Sequence, residues 1–268
     1  MKKLFLFSAI TILGTSITTI AQDRSLKKNF ELKIPSAATG GSNGAAVAWH
    51  PEQKKYYAAM AGNSSFCLAV FDAKGKCVSE NNLITGFDIR GLWYNPNTET
   101  IQMNGYDTYG WAEYILSNTG IPKDVRQLVK GYFQPTQNSA GAYDPSEKLV
   151  YFLDAVGNID AHSTLNGEYE GGIDLHLGAR SNEEYDGDNL DELESYNYTS
   201  IAYTNDGFIA LLNAEKKQIE LYSGKFGYLR HTLKLPSNAP TEYALNFSYS
   251  NGIFWLFDKE QRTWYGYN

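Results

Sequence analysis

The chain has 268 residues, enough for one large domain or two small ones. Its formal net charge is −7, and lysine and arginine are scattered along it. Such an acidic surface repels phosphates, which argues against a nucleic-acid partner. Twenty tyrosines and five tryptophans suit β-strands and hydrated recognition surfaces.

The first residues are typical of export. A charged start, Met1-Lys2-Lys3, precedes an apolar run over 4–20 and small residues before Gln22. This order predicts a secretory signal peptide over 1–21, cleaved near Ala21, and a location in the periplasm or outside the cell. The alternative is a membrane anchor, but six serine and threonine residues make the run a poor spanning helix. No later segment is apolar enough to cross a membrane.

The rest of the chain is predicted to form one domain over 29–268, after a polar lead-in at 22–28 that we expect to be mobile. Five similar segments carry an aromatic residue in their fourth position: Trp49, Tyr94, Tyr143, Tyr203 and Tyr249. Their spacings are 45, 49, 60 and 46 residues, the length of a four-stranded propeller blade. The pattern predicts an all-β fold, a five-bladed β-propeller with four-stranded blades.

The two ends of the chain are predicted to share the last blade. That blade stops after three strands at Asn268, whereas residues 31–36 (Glu-Leu-Lys-Ile-Pro-Ser) resemble residues 232–237 (Thr-Leu-Lys-Leu-Pro-Ser), the outer strand of blade four. The N-terminal strand over 30–35 should therefore complete blade five and close the ring, which removes an open sheet edge.

The innermost strands alternate small residues with aromatic and aliphatic ones. Small residues let strands crowd around a central axis, while large ones fill the wedge between blades. We therefore interpret the repeated aromatic residues as structural and not as a binding stripe. Trp93 breaks the small-residue series.

Ligands of propellers usually bind where loops join the outer strand of one blade to the inner strand of the next. These loops, over 35–45, 85–90, 131–139, 178–199 and 236–245, are rich in aromatic and amide side chains. Such a mixture suits a sugar, a peptide or a protein loop. The predicted binding residues are Asn43, Asp88, Arg90, Tyr132, Phe133, Gln137, Asn138, Tyr196, Asn197, Tyr198, Glu242 and Tyr243.

The loop over 178–199 is about a dozen residues longer than the others and strongly acidic. Asp186 and Asp188 offer hard oxygen ligands, so one interpretation is a calcium site. A solvated acidic loop and a flap that docks a partner are the alternatives.

An enzyme is the other hypothesis. Glycosidases place paired carboxylates at such a tunnel mouth, and here Asp88 and Glu242 come from suitable loops. The inner strands carry no carboxylate in their repeated positions, and the serine-hydrolase, zinc-protease and phosphate-loop motifs are absent.

The turn patterns at 143–151 (Tyr-Asp-Pro-Ser-Glu-Lys-Leu-Val-Tyr) and 117–120 (Ser-Asn-Thr-Gly) resemble those of exported bacterial propellers of the NHL and six-bladed types. The resemblance implies the fold and a role in binding, although the blade count here is five. We therefore expect an extracytoplasmic binding or scaffold protein without a cofactor. Its partner would be a protein, such as an outer-membrane assembly on which it docks peripherally as subunit or plug, or a glycan. The carbohydrate-active enzyme remains the alternative.

Overall fold

The computed structural model describes residues 23–35, 43–62, 65, 68–80, 83–185 and 187–268. The predicted signal peptide and Asp186 lie outside these residues. Twenty strands in the described residues form five sheets arranged as a ring, so the predicted five-bladed all-β propeller is confirmed. Among the same residues, no apolar helix reaches membrane-spanning length.

The first two strands of the chain join blades 4 and 5, whose other strands lie in the C-terminal part of the chain. Strand β1 (Arg24–Ser25) pairs in parallel with the outer strand of blade 4, and β2 (Lys28–Lys33) pairs antiparallel with the last strand of the chain. The predicted closure of the ring is therefore confirmed. The predicted lead-in is part of the fold, because Arg24 and Ser25 add a fifth strand to blade 4 and Leu26 is buried behind it.

The remaining strands run from the innermost to the outermost position of each blade. Blade 1 contains β3 (Asn43–His50), β4 (Lys55–Ala61) and β5 (Leu68–Asp72), and blade 2 contains β6 (Ile89–Asn95), β7 (Thr100–Gly105), β8 (Trp111–Leu116) and β9 (Pro122–Val129). Blade 3 contains β10 (Ala142–Asp144), β11 (Leu149–Leu153), β12 (Ile159–Ser163) and β13 (Tyr169–Ile173). Blade 4 contains β14 (Tyr196–Tyr203), β15 (Phe208–Asn213), β16 (Gln218–Ser223) and β17 (Leu229–Lys234). Blade 5 contains β18 (Phe247–Ser250), β19 (Ile253–Asp258), β20 (Thr263–Tyr267) and β2. A short helix, α1 (Leu190–Leu193), lies in the long loop before blade 4.

The innermost strands contact one another around the ring in the order β3, β6, β10, β14, β18 and back to β3. Small residues of one blade meet large residues of the next, as where Ala48 and Leu92 share a buried cluster. Trp93 occupies a small-residue position, and its ring stacks on that of Tyr143 with centroids 6.0 Å apart. The exception therefore fills the wedge between blades 2 and 3.

The two ends of the ring are built differently. Inner strands begin at the loop end, which carries Asn43, Asp88, Tyr198 and Tyr243, and finish at the turn end. The turn end consists of the hairpins over 51–54, 96–99, 145–148, 204–207 and 251–252. The last residue of each hairpin has a positive φ: Lys54, Glu99, Lys148, Gly207 and Gly252. This left-handed conformation reverses the chain tightly and sets the inner strand's last residues at the ring axis.

Candidate functional site

Several residues predicted to bind a ligand at the loop end instead connect blades. The Asn197 side-chain amide donates to the carbonyls of Glu242 at 2.9 Å and Leu245 at 2.6 Å, which ties blade 4 to the loop before blade 5. Asn246 donates to the side-chain oxygen of Asn43 at 3.1 Å, which ties blade 5 to blade 1. Buried carbonyls at these junctions need donors. This part of the predicted surface is therefore engaged within the fold.

Four of the predicted residues belong to one network of contacts around a buried ion pair. Arg90 Nη1 donates to Asp88 Oδ1 at 2.6 Å, and Arg90 Nε donates to Asn138 Oδ1 at 3.2 Å. The guanidinium also lies 4.7 Å from the ring centroid of Tyr106, whose hydroxyl donates to Gln137 at 2.7 Å. Asp88 and Arg90 are both buried, so each charge is neutralised by the other inside the protein.

The five aromatic residues predicted for the loop end have different surroundings. Tyr196 is buried and donates its hydroxyl to Glu220 at 2.6 Å, while the ring of Phe133 packs 5.2 Å from that of Trp111. The exposed ones are Tyr132, Tyr198 and Tyr243. The main-chain amide of Tyr198 donates to the Tyr243 carbonyl at 2.9 Å, so these two residues lie side by side. The loop end therefore offers a sparse aromatic surface.

Both carboxylates of the enzyme hypothesis are paired with cations. Asp88 is held by Arg90, and Glu242 lies 2.9 Å from Lys259 Nζ. A general acid, base or nucleophile must reach the substrate with its carboxyl group. The geometry therefore gives this pair no particular support as a catalytic dyad.

The acidic insertion over 178–199 is anchored to blade 3. Asn189 is buried, accepts the Leu177 amide at 3.1 Å and donates to the Leu175 carbonyl at 2.7 Å. The Asp188 carboxylate accepts the Leu190 amide at 2.8 Å, at the start of α1. The described part of this loop contains no group of three or more metal-binding side chains, while Asp186, the other proposed calcium ligand, lies outside the described residues. The calcium site stays a prediction.

A cavity of about 620 Å³ lies at the opposite end of the ring and is lined by residues of all five blades. The five repeated aromatic residues all belong to its wall: Trp49, Tyr94, Tyr143, Tyr203 and Tyr249. We call this cavity the aromatic basin. The structural role predicted for these residues does not remove them from the surface, because they pack against other rings and also line one cavity. That they form no binding stripe stays a prediction.

Each aromatic residue of the basin rests on a second ring. Trp49 lies on Tyr56 with centroids 4.4 Å apart, Tyr94 on His50 at 4.7 Å, Tyr143 on Trp93 at 6.0 Å, Tyr203 on Tyr151 at 5.5 Å and Tyr249 on Phe254 at 4.8 Å. Of these second rings, Trp93 also lines the basin, and the others do not. This packing restricts the wall side chains, so the basin is formed before any ligand arrives.

Asp144 is the buried carboxylate of the wall. It accepts the Ser146 hydroxyl at 2.6 Å, the Ser146 amide at 2.8 Å and the Tyr151 hydroxyl at 3.1 Å. Burial alone would raise the pKa of Asp144, but the hydrogen bonds from Ser146 and Tyr203 outweigh it and leave the pKa below its ordinary value. A fixed negative charge therefore lies behind the surface of the basin.

Little free space adjoins the basin between the inner strands. A second void of about 60 Å³ lies there, lined by small residues such as Ala46, Ala142 and Ala202 together with aromatic rings that it shares with the basin. Its volume is about one tenth of the volume of the basin. Proline, asparagine or aspartate follows each of the repeated aromatic residues. These turn-forming residues could have indicated the site, because they place every aromatic ring beside a turn at the same end of the ring of blades.

Comparison with known proteins identifies the fold alone. No family model and no curated protein matches the chain. The glutaminyl cyclase of Myxococcus xanthus has a similar structure, with a TM-score of 0.58 and 8% identity over 92% of this chain and 97% of that one. A gluconolactonase of Xanthomonas campestris gives a TM-score of 0.48 and 8% identity over 92% of this chain and 95% of that one. Both are enzymes, but at this identity their activities do not carry over. The chain is a β-propeller, and the resemblance to NHL-type propellers extends no further than that fold.

Proposed function

We propose that the protein is an exported binding protein that holds a protruding segment of a protein partner in the aromatic basin. The observation that carries this proposal is the convergence of one repeated aromatic residue from each blade on a single cavity of about 620 Å³. Ligand sites in proteins are typically cavities of roughly 300–1,000 Å³ with apolar walls and a few polar groups.

The chemistry of the wall favours binding over turnover. Tryptophan and tyrosine are the residues that most often dominate binding energy at protein interfaces. The Asp144 carboxylate already accepts several hydrogen bonds, which suits a fixed recognition surface better than proton transfer.

The shape of the basin favours a protein segment over a glycan chain. A basin adjoined by a void of only about 60 Å³ suits a group that protrudes from a surface. A long glycan would instead need a groove through which both of its ends can leave. Export, predicted from residues 1–21, would bring the protein to partners in the cell envelope or beyond, including outer-membrane assemblies.

Site-specific photocrosslinking in intact cells tests this proposal. A benzophenone amino acid replaces Asn251, an exposed residue of the basin wall, or Tyr243, an exposed residue of the loop end. We expect a discrete protein adduct from position 251 and none from position 243. An adduct from position 243 alone would place the partner at the loop end, and the absence of adducts from both positions would overturn the proposal.

A further inference from the structure

We infer that the group the basin accepts is the cationic side chain of a lysine or arginine that protrudes from the partner. This inference rests on the proposed function and names the chemistry of its ligand.

The charged residues of the wall are all acidic. Of the described residues that line the basin, Asp144 and Asp206 carry charge, and none is lysine, arginine or histidine. Asp206 is exposed in the blade 4 hairpin, whereas Asp144 is buried. Two lysines, Lys54 and Lys148, belong to neighbouring hairpins but do not line the cavity. A cation entering the basin would therefore approach carboxylates without meeting a like charge on the wall.

The surrounding hairpins add a smaller net negative charge. Glu99 is exposed in the blade 2 hairpin, whereas Glu52 and Glu147 share their hairpins with Lys54 and Lys148. Burial raises the pKa of the Tyr94 phenol, and the negative charges of Glu99 and Glu52 raise it further. A field that disfavours a phenolate at this wall favours a cation at the same place.

The aromatic rings supply the second attraction. Cations bind to the faces of tryptophan and tyrosine rings, and the effect grows as water is removed from around the cation. Burial raises the pKa values of Tyr143, Tyr203 and Tyr249 as well, so these rings stay neutral at physiological pH. A neutral sugar would gain from the rings but not from the charges, whereas a lysine or arginine side chain gains from both.

Peptide binding to the full-length mature protein tests the inference. The probes are a Gly/Ser-rich peptide with one central arginine and the same peptide with one central lysine. Their uncharged counterparts carry citrulline and norleucine, and calorimetry measures all four affinities. We expect the cationic peptides to bind about tenfold more tightly than their counterparts. The difference should shrink at high salt, because exposed charges are screened.

Two variants locate the effect. Asp206→Asn removes the exposed wall charge and should weaken the cationic peptides severalfold, whereas Trp49→Leu removes one ring face and should weaken them by a similar factor. Asp124→Asn is the matched control, because Asp124 is exposed on the outermost strand of blade 2 and does not line the basin. It should change affinity less than twofold.

The outcomes separate this inference from the proposed function. If citrulline and norleucine peptides bind as tightly as the cationic ones, and Trp49→Leu weakens the binding of all four, the basin is a ligand site that does not prefer cations. The proposed function would then stand and this inference would fail. If neutral oligosaccharides bind in the basin and no peptide does, the inference also fails. Equal loss of affinity in Asp206→Asn and Asp124→Asn would reduce the effect to net charge and overturn it too.

Discussion

The closure of the ring can be tested with a single buried side chain. Leu32 of β2 is fully buried in the cluster that contains Trp255, Phe257 and Trp264 of blade 5. Its neighbour Lys33 points to the opposite side of the strand and is exposed. Leu32→Ala would therefore weaken the packing of β2 in this cluster, which also contains blade 1 residues such as Val47 and Met60.

The expected loss follows from the burial. Replacing a fully buried leucine by alanine costs about 2–5 kcal/mol, because apolar contact is lost and a cavity remains. In a domain of this size each kcal/mol lowers the melting temperature by about 2–4 °C, so a loss of about 3 kcal/mol should lower it by about 6–12 °C.

Thermal unfolding followed by circular dichroism measures this shift. Lys33→Ala is the matched control on the same strand, and we expect it to change stability by no more than about 0.5 kcal/mol. Equal melting temperatures for Leu32→Ala and Lys33→Ala would refute the reasoning, because blade 5 would then not depend on β2.

Four further predictions concern Asp144, the ion pairs of Asp88 and Glu242, glycan turnover and Trp93. Asp144→Asn should lower the free energy of unfolding by about 1–3 kcal/mol at pH 7, because the asparagine cannot replace the carboxylate's hydrogen bonds. The folded pKa of Asp144 is depressed, so its contribution is present above the ordinary value of about 3.9 and is lost as pH falls through the folded value. Melting curves of both proteins between pH 7 and pH 3 should therefore converge. Asp88→Asn should cost about 3–5 kcal/mol in urea unfolding, since it leaves Arg90 buried without a counter-ion, whereas Glu242→Gln at the half-exposed pair with Lys259 should cost less than about 1 kcal/mol. Neither the wild type nor the double variant Asp88→Asn/Glu242→Gln should turn over a panel of glycans, and turnover that the double substitution abolishes would restore the enzyme hypothesis. Trp93→Ala should lose about 3–5 kcal/mol in the same unfolding assay, and a loss below about 1 kcal/mol would show that its ring does not fill the wedge.

The fold could be predicted because the repeat is regular. The aromatic residues recur at the length of one blade, and residues 31–36 resemble the outer strand of blade 4 closely enough to predict the closure. Strand β1 was not predictable in this way. It is only two residues long, and its pairing with β17 depends on where the chain passes on its way to blade 5.

The basin could not be predicted with the same success, because the residues that line it have the same sequence pattern as core residues. Tyr143 packs on Trp93 and also lines the basin, and its alternation along the strand is that of a core residue. The side-chain amides of the loop end were predicted to bind a ligand but have structural roles. Asn197 and Asn43 belong to segments predicted as loops, in which polar residues often bind ligands, yet they lie at the starts of β14 and β3 and bond to neighbouring blades. Only the positions of the main-chain groups around a side chain distinguish these roles.

The central claim is that the partner binds at the aromatic basin and not at the loop end. Its most direct test uses the partner that crosslinking identifies, purified on its own. The affinity of this partner is measured for two double variants that each replace two aromatic residues by alanine. Trp49→Ala/Tyr249→Ala removes two rings of the basin, and Tyr198→Ala/Tyr243→Ala removes the two neighbouring exposed rings of the loop end. We predict a loss of about 100-fold or more for the first variant and less than about twofold for the second, since central aromatic anchors each contribute about 2 kcal/mol. A large loss for the loop-end variant together with an unchanged affinity for the basin variant would contradict the claim.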